Sequence, residues 1–290
     1  MAEIKIAGIM RAGGYSPNHI GNDAAIFNAA ADNLRRRGCE VEIFSEEQFQ
    51  SFTPSQPFII NMCRGKDSII KLQQLEEQGR LVINSGFGIE NSTRERMTRI
   101  LIGNNIPCPE SLIVNTNEKV IDDLNERGIT SCWIKRGEHH SMHKEDVTYC
   151  RHSEEAQEVL HEFFYRGIKR AVINRHLHGD LVKFYGVVGQ PFFYWFYPFE
   201  QQGAHVRTQN GHEEISKIPF DENYLKNICN QTAEILDLKI YGGDCIISPD
   251  GCIRIIDFND WPSFAPCRKE AAVFIAKAIL GLINEKIKGK

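Results

Sequence analysis

The chain reads as an α+β protein in three successive parts: an N-terminal α/β unit on a parallel sheet, a compact α+β subdomain, and a strand-rich C-terminal unit. Three observations predict this. The first third alternates short apolar runs with segments of helical period, the pattern of a small parallel sheet with helices on both faces. The middle third repeats a strand-helix-strand order, and from Ala171 onward β-branched and aromatic runs dominate.

In order, "EIKIAGIM" reads as a strand, and "NDAAIFNAAADNLRRRG" as a helix capped by Asn22 and stopped by Gly38. "CEVEIF" and "PFIINMC" follow as strands, "DSIIKLQQLEEQG" as a helix and "RLVINS" as a strand. "NSTRERMTRILIGNNIPCPES" is a helix ending in a Pro-punctuated connection at Ile106 to Pro109, which sets the first boundary. The middle part runs through "SLIVNT", the helix "NEKVIDDLNERG", "SCWIKRG", a polar loop, "DVTYC" and the helix "SEEAQEVLHEFFYRG". The strands "AVINRHL", "DLVKFYGVVG" and "PFFYWFYPF" come next. The helix "DENYLKNICNQTAEILD", a hairpin over "YGGDCIISPDGCIRIIDFND" and the helix "RKEAAVFIAKAILGLINEKI" complete the order. The predicted domains are 1–105, 106–176 and 177–290.

Bulk composition excludes several classes of function. With 34 Lys+Arg against 38 Asp+Glu over 290 residues, the net charge of -4 gives no global field for nucleic acid or an anionic membrane. The opening "MAEIKIAGIMRAGG" is too quickly polar for a signal peptide, and no stretch approaches the roughly 20 apolar residues of a membrane span, so a cytoplasmic location is expected. Nine cysteines without a C-x-x-C pair argue against a disulfide framework and a structural zinc site; Cys245 and Cys252 are expected to pack. Trp195 and Trp261 are read as packing residues too.

The hairpin carries the strongest chemical signal. Asp257 and Asn259 are two apart on one strand and face the same side, while Asp244 lies on the preceding strand, thirteen positions upstream. Carboxylates so close repel each other, and a hard divalent cation with oxygen ligands relieves that repulsion. The alternative is that Asp257 caps a turn and Asp244 is solvated. Lys135 ends an apolar strand, and Lys183 interrupts "DLVKFYGV", pointing to the other face if Val182 and Phe184 enter the core. A Gly-rich turn after the first strand lies at the carboxyl edge of the sheet, where α/β folds bind ligands; this makes Arg11, Tyr15, His19 and Arg64 candidate substrate contacts.

The spacing D-(x12)-D-x-N, ahead of a Pro-containing turn and a C-terminal helix, resembles the magnesium site of the ATP-grasp superfamily. The resemblance covers nearly the whole chain. It implies an ATP-grasp fold in which 106–176 is a central lid and ATP lies between lid and C-terminal domain, with Asp244, Asp257 and Asn259 holding two Mg2+ ions, or Mn2+ in their place. It implies further that Lys135 contacts the α- and β-phosphates, that Asn174, Arg175, His176 and Leu177 form the linker clasping adenine, and that Asp180 meets the ribose hydroxyls. Arg96, where the family has the lysine of a D-K dipeptide, becomes a second phosphate contact, Lys183 stands by the transferred phosphoryl group, and Arg207 holds the acyl phosphate or substrate phosphate. Asp257 departs from the Glu of many ligases and is similar to the inositol-phosphate kinases of the superfamily; Asn174 also stands where Glu is usual. The loop "RGEHHSMHKED" has few glycines for a triphosphate cover, and its His139, His140 and His143 lack the companion spacing of a zinc site.

The function these features imply is an ADP-forming carboxylate–amine ligase working through an acyl phosphate on a small-molecule or peptide acceptor. A kinase of a small polyol phosphate is the alternative, and a non-catalytic nucleotide-binding module the third. An enzyme of this type works by positioning and charge stabilisation, which accounts for the absence of a nucleophile triad.

Overall fold

The computed structural model describes residues 4–15, 20–138, 146–198 and 216–289. Arg207, His19 and the loop histidines His139, His140 and His143 lie outside them. Three four-stranded sheets follow one another along the chain.

The first is parallel, with order β2-β1-β3-β4: β1 (Ile4–Met10), β2 (Cys39–Ser45), β3 (Phe58–Asn61) and β4 (Leu81–Ile83). Alternating side chains enter two cores. Ile6, Ile60 and Ile83 pack with α1 (Ile20–Arg35), while Ala7, Ile9 and Ile59 pack with α2 (Glu46–Ser51), α3 (Lys66–Glu77) and α4 (Gly86–Asn91). The α1 helix begins at Ile20, so Asn22 is not its cap; the Asn22 Oδ1 instead accepts from Arg268 Nη2 at 2.8 Å. Gly38, at φ +85°, ends that helix in the left-handed conformation that glycine adopts without strain.

After α5 (Arg94–Gly103) comes an antiparallel sheet in the order β5-β8-β6-β7: β5 (Ser111–Asn115), β6 (Cys132–Arg136), β7 (Val147–Cys150) and β8 (Arg170–Arg175). Its apolar face is covered by α6 (Ile121–Glu126) and α7 (Ser153–Tyr165). The third sheet, order β10-β9-β11-β12, comprises β9 (Asp180–Val187), β10 (Phe193–Phe196), β11 (Ile240–Ile247) and β12 (Ile253–Asp260) and packs on α8 (Glu222–Ile235), capped by the Asp221 carboxylate.

The last helix, α9 (Arg268–Lys288), turns back onto the first sheet: Ile275, Ile279 and Ile283 share a core with Ile6, Phe27 and Leu34. A buried Asn84 ties β4 to the start of β11, accepting from Lys239 and Ile240 N–H at 2.9 Å and donating to the Ile240 carbonyl at 2.7 Å. Trp261 is fully buried against Phe27, and Trp195 donates to Glu222. All nine cysteines are free; Cys245 is buried in the core and Cys252 is exposed. Among the described residues no helix is long and apolar enough to cross a membrane.

Candidate active site

Register builds the site. Lys183 on β9 lies opposite Asp244 on β11, and Asp244 lies opposite Asp257 on β12, so one cation and two carboxylates form a row across three strands. The next row is Tyr185, Gly242 and Asn259. Residues two apart share a face, so all six project from one side of the sheet, while Val182, Phe184, Cys245 and Phe258 are fully buried on the other. Gly242 has to lack a side chain: a Cβ there would come within 2.6 Å of the Tyr185 ring and 2.7 Å of Pro262.

The hairpin is not regular. Asp244 pairs with Asp257 but Cys245 pairs with Ile255, leaving Ile256 as the extra residue of a β-bulge. The bulge turns the Ile256 carbonyl toward the neighbouring sheet, where it accepts from Lys135 Nζ at 2.8 Å. Lys135 is 8% exposed; burial, and then the charge of Arg94, push its ammonium down to about 8 against the pull of Asp257 and Asp244. Lys183 Nζ meets Asp244 Oδ1 at 2.6 Å. Burial works to lower the Lys183 pKa, but the charge and hydrogen bond of Asp244 prevail and hold it above its ordinary value.

Two cavities meet at these acids. One, of about 270 Å³, lies between the two antiparallel sheets, with Arg94, Lys135, Asp244 and Asp257 at its polar side and Trp133 and the 174–179 segment in its wall. The other, of about 390 Å³, lies toward the parallel sheet and is lined by Arg11, Asp23, Arg64, Lys183, Tyr185 and Asn259. Asp244 and Asp257 border both.

The structure distributes the residues singled out in the sequence unevenly. Asn174, Arg175, His176 and Leu177 line the first cavity, but their polar groups are already engaged in part. Asn174 donates to Ser111 Oγ at 2.7 Å, and Arg175 is held by Glu110 at 2.6 Å and by the carbonyls of Arg127 and Gly128 at 2.8 Å. His176 Nδ1 accepts from Trp133 Nε1 at 3.0 Å, so its other ring nitrogen carries the proton in the neutral form. Asp180, expected at the ribose, does not border the cavity; it is buried and accepts from the amides of Ser216 at 2.7 Å and Ile218 at 2.8 Å, which makes it a backbone anchor.

Arg96 also stands away from the cavity, paired with Glu90 at 2.8 Å and 53% exposed. Arg94 faces the cavity instead, its Nη2 at 3.6 Å from Asp257 Oδ2 and its buried Nη1 without a hydrogen-bond partner among the described residues. Helical period could have found it: Arg94, Met97, Thr98 and Leu101 form one stripe, of which the last three are buried, and Arg96 lies off that stripe.

On the other side, Arg11 and Arg64 follow the carboxyl ends of β1 and β3. Arg11 pairs with Asp23 at 2.8 Å and with Asp260 at 3.6 Å, and Arg64 pairs with Asp260 at 3.2 Å. Burial and the neighbouring Arg11 charge push Arg64 down to about 10. Nothing in the sequence singles out Glu46, yet its fully buried carboxylate accepts from the amides of Ala12 at 2.9 Å, Arg64 at 3.0 Å and Gly65 at 2.7 Å. It fixes the two loops that carry the arginines. Tyr15 stands beside Glu46 and outside the cavity wall; burial, then Glu46, raise its phenol pKa.

The donor set suits a hard cation. Asp244 and Asp257 offer carboxylate oxygens and Asn259 an amide whose oxygen can ligate, while the adjacent thiol, Cys245, points into the core. Among the described residues no group of three or more His, Cys, Asp and Glu forms a metal cluster; the two carboxylates here have the Asn259 amide beside them.

Two antiparallel four-stranded sheets enclosing a cleft, behind an N-terminal parallel sheet, give the chain the ATP-grasp fold. The D-alanyl-alanine synthetase A of Vibrio cholerae superposes on it with a TM-score of 0.69 at 10% identity, covering 97% of this chain and 98% of that one. The D-alanine–D-alanine ligase of Bacillus anthracis, complexed with ATP, gives 0.69 at 13% identity over 99% of this chain and 100% of that one. The ATP-grasp ligase PsnB, complexed with a phosphomimetic variant of its minimal precursor, Mg and ADP, gives 0.61 at 15% identity over 95% and 97%. At such identities the likeness is one of fold. No family model matches the sequence, and no curated protein matches it.

Proposed function

We propose that the protein is a magnesium-dependent, ADP-forming ligase that joins a carboxylate to an amine through an acyl phosphate. The observation that carries this reading is the in-register row of Lys183, Asp244 and Asp257, whose two acids form the common edge of two cavities. One cavity suits a nucleotide, the other an acceptor, and the acids stand where the two would meet. The solved structures of like fold include ligases complexed with ATP or with Mg and ADP, which favours the same assignment.

In this reading Asp244, Asp257 and Asn259 hold Mg2+, which supplies charge neutralisation for the phosphates. Lys135, anchored on the Ile256 carbonyl, and Arg94, with a buried donor to spare, hold the phosphates of the nucleotide. A compact ammonium and a forked guanidinium suit that task in different ways, one as a point charge and the other by paired hydrogen bonds. The 174–177 segment and Trp133 hold the base. Lys183 lines the second cavity beside Asp244 and meets the negative charge that develops as the phosphoryl group moves from nucleotide to carboxylate. Arg207 remains the residue proposed to hold the acyl phosphate, on sequence grounds. Arg11 and Arg64 face the acceptor.

The kinase alternative is kept by two features, the D-x-N form with Asp at position 257 and the "VKFYGVVG" strand. Incubation with ATP, Mg2+ and pools of amino acids, peptides or polyol phosphates, read by ADP release and product mass, decides the matter. A condensation product lighter than its parts by one water supports the ligase. A product heavier by one phosphoryl group supports the kinase, and ADP formation that never exceeds the no-acceptor background in any pool overturns both.

A further inference from the structure

The second cavity carries a chemical signature of its own. With Asp244 and Asp257 assigned to the metal, three cations remain at its wall, Arg11, Arg64 and Lys183, against Asp23 in the wall and Asp260 behind it. Among the described residues these are three positive charges against two, the third being Lys183, which also pairs with Asp244 at 2.6 Å. The two arginines are also crowded: both are largely buried, at 5% and 13% side-chain exposure, and both turn to the same Asp260. Arg11 is further engaged by Asp23 and by the Met62 carbonyl at 3.1 Å, whereas among the described residues the Arg64 guanidinium pairs with Asp260 alone and its buried Nε has no hydrogen-bond partner. Adjacent buried guanidiniums repel, and the repulsion is relieved when an anion enters.

The site is built and not incidental. Glu46, at the start of α2, fixes the amides of Ala12, Arg64 and Gly65, so both arginine loops are locked by one buried carboxylate. Gly65 permits this closeness, since a Cβ there would come within 3.0 Å of both Glu46 Oε1 and the Tyr15 hydroxyl. Asp260 in turn directly follows Asn259, so the arginines are referenced to the metal strand itself.

We propose that this cavity is an oxyanion subsite, centred on Arg64, for an acceptor that carries a carboxylate or phosphate in addition to its reacting group. The inference deepens the ligase reading and rests on its division of the two cavities. A neutral acceptor would leave the Arg64 fork without its counterpart, and an acceptor with a second cationic group would meet the surplus charge.

The test uses the full chain with the magnesium complex of AMP-PNP bound, so that the γ-phosphate position is filled, and titrates succinate, inorganic phosphate and uncharged succinamide calorimetrically. The expected result is that one oxyanion binds at least tenfold more tightly than succinamide and that Arg64→Met abolishes this margin with AMP-PNP affinity unchanged. Arg64→Lys, which keeps the charge and loses the fork, should retain part of it, and it carries the comparison should Arg64→Met not fold. Preference for succinate identifies the group as a carboxylate, preference for phosphate as a phosphate ester. The proposal is overturned if oxyanions and succinamide bind alike, or if Arg64→Met and Arg64→Lys bind oxyanion as the parent does. If AMP-PNP itself fails to bind, the nucleotide reading falls; the titration on the protein alone, judged by the same Arg64-dependent margin, then decides for or against the oxyanion subsite.

Discussion

Lys135 is the residue whose physics is most exposed to measurement. Its ammonium titrates near 8 in the folded, ligand-free protein against 10.5 ordinarily, because burial and Arg94 disfavour the charge. Between those values the unfolded chain binds a proton that the folded chain does not, so stability rises with pH across that window and is flat below it. Relative to Lys135→Met, the parent should gain on the order of 3 kcal/mol between pH 7 and the upper end of that window, read by denaturant unfolding of both proteins. An unchanged difference would mean that Lys135 is solvated. Nucleotide affinity should fall as pH rises above about 8, since only the charged form attracts phosphate. Lys183→Met, keeping the stem and losing the charge, should lower kcat of ADP formation at least tenfold with ATP affinity nearly constant; an equal loss in both would place Lys183 in nucleotide binding instead. At this scale the sequence was legible where strand alternation governs: Lys183 lies opposite the core face because Val182 and Phe184 fill it. It misled where a family pattern was transferred by dipeptide, placing weight on Arg96 although the buried stripe of its own helix selects Arg94. It was silent on Glu46, since nothing local marks a carboxylate whose three partners come from two other loops.

Among elements, the hairpin was readable and its bulge was not. Two apolar strands around "SPDG" announce the pairing, but which residue is left over depends on how β12 meets β9, β11 and the neighbouring sheet, and no local rule carries that. Deleting Ile256 should restore the regular ladder, because Asp257 would still lie opposite Asp244 and Ile255 opposite Cys245. Mn2+ affinity should therefore survive while ATP binds roughly tenfold more weakly for want of the Lys135 anchor; a loss of Mn2+ binding in titration would show that the bulge shapes the metal ligands as well. The short helices were the other omission. Glycines weaken the helical signal of "GFGIEN", whereas "SEEQ" did contain a capping box, which the structure realises with Ser45 and Gln48 each bonding the other's backbone. Ser45→Ala should cost about 1 kcal/mol in chemical denaturation, and any greater loss would indicate that Glu46 and its loops loosen with the helix.

At the scale of the whole molecule, the succession of three sheets was legible in the order of elements, but the return of the last helix was not, because a helix's apolar stripe does not say which sheet it covers. Residues 268–288 close the core of the first sheet, where Ile275, Ile279 and Ile283 are fully buried. Fully burying a side chain of this kind is worth about 1.5–3 kcal/mol, so the three together rival a domain's net stability of roughly 5–15 kcal/mol. A chain ending after Cys267 should lose cooperative unfolding by circular dichroism; a sharp transition near that of the intact chain would show that α9 is dispensable. The same arrangement bears on how the protein comes into being. A polypeptide made from its amino end usually completes its leading unit first. Here the face of the leading sheet that α1 and α9 share has only α1 upon it until residues 268–288 have been made, after both later sheets. The central and carboxyl-terminal sheets, whose own helices precede residue 268, can settle before the unit that was begun first.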